Sequence, residues 1–64
     1  MTNNIKLQTL LRFYKYELVV LYDLQYNIRE QYTKKEILAN NQLCKMKVVS
    51  FYTHYKLLVV NVVE

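Results

Sequence analysis

Ser50 and His54 are the residues of this 64-residue chain whose types and spacing come nearest to chemistry. Four apart on a helix they would share a face, the relation that a nucleophile and its base can use. No acid stands nearby to orient the imidazole, and a chain with no glycine has no glycine-rich elbow or oxyanion loop. A pocket of ~300 Å³ is also hard to build at this length, so the pair reads as two polar residues on a solvated strip. Cys44 and His54 are the only thiol and imidazole, too few for a structural zinc site, which needs four ligands. Glu17, Asp23 and Glu30 are six and seven residues apart, without the closeness of a catalytic carboxylate pair. The expectation is a non-enzymatic protein with no metal, no cofactor and no small-molecule substrate.

The elements that would position these residues follow from hydrophobic periodicity. Leu7, Leu11, Tyr14, Leu18, Leu21, Gln25, Ile28 and Tyr32 recur at steps of four and three, which predicts one long amphipathic helix over 7–32. Thr9, Arg12, Asp23, Asn27 and Glu30 form its narrow polar strip, with Asn3 or Asn4 placed to cap its start. Leu10, Phe13, Val20 and Leu24 widen the apolar seam on one flank, and Val19, Tyr22 and Tyr26 widen it on the other. Tyr14, Tyr16, Leu18, Val20, Tyr22, Leu24, Tyr26 and Ile28 also alternate at strand spacing, so a short strand near Glu17 to Tyr22 is the competing reading. A strand over the whole run would exceed the ~5–6 residues usual in sheets, which favours the helix.

Thr33-Lys34-Lys35-Glu36 has the form of a capping box and predicts a second helix over about Lys34–Leu43, with Asn40-Asn41 as a turn that can end it early. From Cys44 to Val63 the two periods compete again. Cys44, Val48, Phe51, Tyr55, Leu58 and Val62 make a helical seam that places Cys44 in the core rather than at a reactive site; Val49, Phe51, Thr53, Tyr55, Leu57 and Val59 make a strand face. The polar line of Lys47, Ser50, His54 and Asn61 tips the balance to helix. Glycine and proline, which supply the unusual φ values of tight turns, are both absent. The expected fold is therefore all-α, a single small domain over 1–64 arranged as a helical hairpin or three helices behind a long N-terminal one. The alternative is α+β with a C-terminal strand or hairpin.

The chain carries nine Lys and Arg against five Asp and Glu, a formal net charge of +4 that mildly favours acidic partners. A sole cysteine excludes an internal disulfide and suits a reducing compartment such as the cytoplasm. Neither a signal peptide nor an apolar run of membrane-spanning length is apparent. Abundant Asn, Lys, Tyr and Leu beside the single Ala39 suggest an AT-rich genome, such as that of a phage, plasmid or organelle.

Two binding functions fit. The favoured one is a protein-binding module, or a homodimer, contacting through Tyr16, Val19, Val20, Tyr22, Leu24 and Tyr26 on the surplus apolar flank of the long helix; a phage or mobile-element accessory factor that regulates a host protein would have this form. Seven tyrosines, including the Tyr22/Tyr26 and Tyr52/Tyr55 clusters, suit contact surfaces because each joins a large ring to a polar tip. The other is a small basic nucleic-acid binder with a helix-turn-helix at 33–55, its phosphates met by Lys34, Lys35, Lys45 and Lys47.

Overall fold

Leu7, Leu10 and Leu11 do share one helical face, and that face is fully buried, but the helix they belong to is short. The computed structural model describes residues 5–64. In chain order these form α1 (Leu7–Phe13), β1 (Leu18–Asp23), β2 (Ile28–Thr33), α2 (Lys34–Leu38), α3 (Asn41–Cys44), β3 (Lys47–His54) and β4 (Leu57–Val63). The strands make one mixed sheet in the order β2-β1-β4-β3. Two antiparallel hairpins, β1–β2 and β3–β4, are joined at the centre by the parallel pair β1–β4.

The architecture is α+β, which overturns the all-α expectation and the α-helical character given to the chain. Instead of running to Tyr32, the first helix stops at Phe13, and the next 20 residues supply a hairpin. Both periods are present in 14–32, and long-range pairing decides between them. Val19 and Val20 are stiff at χ1 and fit a pleated surface, and β4 offers them a matching valine-rich neighbour in the register Val19↔Leu58, Val20↔Val59, Leu21↔Val60. The reversal after β1 is local. Asp23 accepts hydrogen bonds from the backbone N–H groups of Gln25 (2.9 Å) and Tyr26 (3.2 Å), and Asn27 takes a left-handed φ of 57°. The proposed cap at Asn3 or Asn4 lies outside the described residues; Lys6 holds the N-cap position of α1 and makes no side-chain cap.

The capping box is present. The Glu36 N–H donates to Thr33 Oγ1 at 3.1 Å and the Thr33 N–H donates to Glu36 Oε1 at 2.7 Å. The helix it starts ends at Leu38 rather than Leu43, because Asn40 caps a separate turn, accepting from the N–H groups of Gln42 and Leu43. Residues 47–63 are a hairpin and not a helix, so the second helix of a helix-turn-helix does not exist and that reading of 33–55 falls. The hairpin turns without glycine: Tyr55 itself adopts φ 56° in the two-residue turn between His54 and Leu57.

All three helices lie on one face of the sheet. There Val19, Leu21, Val48, Leu58, Val60 and Val62 pack against Leu7, Leu10, Leu11 and Ile37 in one core. Cys44 is buried beside it, its thiol donating to the Ile37 carbonyl at 3.2 Å, which makes it a packing residue.

Candidate functional site

Among the described residues no helix lies over the sheet's other face. Strand register and the alternation of side chains assign its residues without ambiguity. Across the strand order β2-β1-β4-β3, one row reads Arg29, Tyr22, Asn61, Ser50; the next Gln31, Val20, Val59, Tyr52; the third Thr33, Leu18, Leu57, His54. The two central strands thus contribute Leu18, Val20, Leu57 and Val59, an aliphatic middle. Tyr22 and Tyr52 stand on either side of it, with polar groups on the outer strands. Val59 is only 8% exposed although no described element covers the face; Val20 and Tyr52 flank it in the middle row. Leu18 is 37% exposed and Tyr52 54%.

Several of these side chains are held in place. Arg29 lies 5.1 Å from the centroid of the Tyr22 ring, a cation–π contact, while the Tyr22 hydroxyl donates to Asn27 Oδ1 in the turn beyond. Asn61 Nδ2 donates to Ser50 Oγ at 2.8 Å across the β4–β3 pair. At the opposite end His54 meets Tyr55 edge-on, ring centroids 4.7 Å apart, and Tyr55 projects from its turn at 89% exposure. A shallow depression lined by Lys15, Tyr16, Glu17, Leu18, Tyr55 and Lys56 continues the face around that edge.

The charge pattern is one-sided. Asp23 and Glu30 alternate onto the helix side of the sheet, Glu36 is used in a cap, and Glu17 and Glu64 lie beyond the strands. The open face carries Arg29 and, at its end beside Val63, Lys47, and no carboxylate. On the helix side, Tyr32 donates to Glu30 Oε2 at 2.9 Å, and partial burial together with that carboxylate raises its phenol above the ordinary value of 10.0.

The expected contact residues are divided by this fold. Val20 and Tyr22 are on the open face. Val19 is fully buried on the other side of the sheet, one residue away and therefore pointing oppositely, so it is no contact residue. Tyr16 packs against the core, and Leu24 and Tyr26 are exposed in the β1–β2 turn. Leu18, Leu57, Val59 and Tyr52, which complete the surface, lie far apart in sequence; strand alternation picks out Leu18 in 14–28 and Leu57 with Val59 in 49–59, but it sets Tyr52 on the opposite face from that pair, and the two-residue turn at Tyr55-Lys56 is what brings them to one side. The four lysines do not form a patch: Lys34 and Lys35 follow the Thr33 end of β2, whereas Lys45 and Lys47 lie at the sheet's other end. Lys34 Nζ is also engaged with the Tyr14 carbonyl at 3.3 Å. On a strand Ser50 and His54 share a face but stand ~13 Å apart, so the nucleophile–base relation that a helix would have created is absent.

Comparison with protein-family models, with curated proteins and with solved structures returns no match, and the functional reading is carried by this geometry alone.

Proposed function

We propose that this chain is a small, non-enzymatic protein-binding module whose contact surface is the uncovered face of its sheet, and that its partner presents an apolar patch rimmed by carboxylates. The carrying observation is the composition of that face: Leu18, Val20, Leu57 and Val59 in the middle, Tyr22, Tyr52 and Arg29 around them, no Asp or Glu. Tyrosine and arginine are enriched and acidic residues depleted in the centres of protein interfaces. The strand rows of the face carry no carboxylate, and at its margin the lone Glu17 stands with Lys15 and Lys56, a balance that gives the partner's sign. Tyr55 supports the same reading, since an exposed aromatic held at a φ that glycine would occupy without strain is a feature found at contact and clamp positions. The role suggested by size and composition is that of an accessory factor, of phage or mobile-element origin, acting on a host protein.

The test is affinity capture with tagged protein in its native host, wild type beside Val20→Lys. Val20 is half-buried on the open face, so a lysine there can reach water without entering the core. The expected result is a partner retained by the wild type and lost by Val20→Lys, with circular dichroism unchanged. Retention of the same partner by both proteins would remove the open face from consideration.

A further inference from the structure

The two edges of the sheet are built differently. β2, at one edge, carries Arg29 and Glu30 in its middle, charges that discourage pairing with another strand. β3, at the other edge, is blunted only at its beginning. There Lys6 bridges Lys47, the Val48 N–H donates to the Ile5 carbonyl at 2.8 Å, and the register shifts between Val48 and Ser50 in a bulge. From Ser50 to His54 the pairing with β4 is regular, and the sequence Ser-Phe-Tyr-Thr-His contains no Lys, Arg, Asp, Glu or Pro. Alternate residues of an edge strand direct their N–H and C=O groups outward, and among the described residues no backbone group meets these. Phe51 and Tyr52 are exposed along it.

We propose that this edge pairs with the same edge of a second copy of the chain, antiparallel and centred on Tyr52, so that two four-stranded sheets become one of eight strands. The five uncharged residues admit that register in full: Tyr52 opposite the partner's Tyr52, Ser50 opposite the partner's His54, Phe51 opposite the partner's Thr53. An identical antiparallel strand satisfies the outward backbone groups on both sides at once, as a two-fold interface requires. Size points the same way, and this part of the argument rests on the open face being a contact surface. Four strands at ~4.8 Å and about six residues at ~3.3 Å give a face of roughly 400 Å² in projection, about half of the ~800 Å² per partner of a standard interface. Joining two copies edge to edge makes the two faces continuous and doubles the surface offered.

Sedimentation of the purified full chain over a wide concentration range tests this, with Thr53→Lys and Gln31→Lys as variants and circular dichroism to verify folding. Thr53 lies on the helix side of the edge strand, so its substitution leaves the open face untouched. The expected result is a species of twice the 7.8 kDa chain mass, weakened roughly tenfold or more by Thr53→Lys through like charges brought near one another, and unaffected by Gln31→Lys on β2. In a Cys44→Ser background, Tyr52→Cys should give an inter-chain disulfide on mild oxidation. Thr53→Cys should not, because its counterpart would stand ~8 Å away, beyond the reach of a disulfide. A wild type that stays monomeric at every concentration, a dimer indifferent to Thr53→Lys, or linkage through Thr53→Cys and not Tyr52→Cys overturns the proposal. A monomer that still retains a partner through the open face would defeat the dimer alone and leave the binding reading standing.

Discussion

Tyr55 holds a backbone conformation that glycine adopts freely and a bulky side chain resists, at φ 56° in the turn between β3 and β4. Such a position stores on the order of 1 kcal/mol or more. Tyr55→Gly is expected to raise stability by about 0.5 kcal/mol, the relief of strain exceeding the entropy of the glycine's looser unfolded state, read as a higher urea midpoint with unchanged slope. The same variant should weaken partner retention, since it deletes the most exposed aromatic at the margin of the open face. A stability gain without that weakening would restrict Tyr55 to the turn. The residue also shows why the turn was hard to foresee: lack of glycine argued against hairpins, yet Asn27 and Tyr55 adopt the positive φ themselves.

Among the elements, α2 is the one whose start was fully legible. Thr33 and Glu36 bond reciprocally across the first turn, so four residues of sequence sufficed to place a helix boundary. Removing the hydroxyl in Thr33→Ala should cost about 1 kcal/mol, visible as a lowered thermal midpoint, while Thr33→Ser should retain most of the stability. Equal losses in both variants would mean that the methyl group, not the hydrogen bond, carries the effect. The strands were less legible because their decisive neighbour is remote. Leu18, Val19, Val20 and Leu21 satisfy helical and pleated spacing alike, and it is β4, some 40 residues later, that selects the second. A helix is declared by residues within a turn of one another; a central strand is declared by its pairing.

At the scale of the whole molecule, the long helix whose apolar flank was expected to be in surplus is absent, and its residues are divided between core, sheet and turn. Leu10 and Val19 are enclosed, while Leu24 and Tyr26 remain exposed and Val20 half so. The core that does form is thin, one layer of short helices over four strands. A 64-residue domain of ordinary stability has roughly 3–10 kcal/mol in hand. Ile37 is fully buried and is the one core residue given by α2. Ile37→Ala should therefore lose about 2–5 kcal/mol, enough to leave a substantial fraction unfolded at moderate temperature, as followed by amide exchange. A loss below 1 kcal/mol would show that α3 and Met46 collapse into the vacancy.

The parallel pairing of β1 with β4 has a temporal consequence. β4 is the last of the seven elements to leave the ribosome, yet it occupies the middle of the sheet. Until Leu57–Val63 emerges, the first hairpin has no seam to dock against, and what will become the interior stays open to any chaperone or neighbour at hand. One late segment then joins both halves of the sheet and completes, in the same event, the face proposed for partner contact.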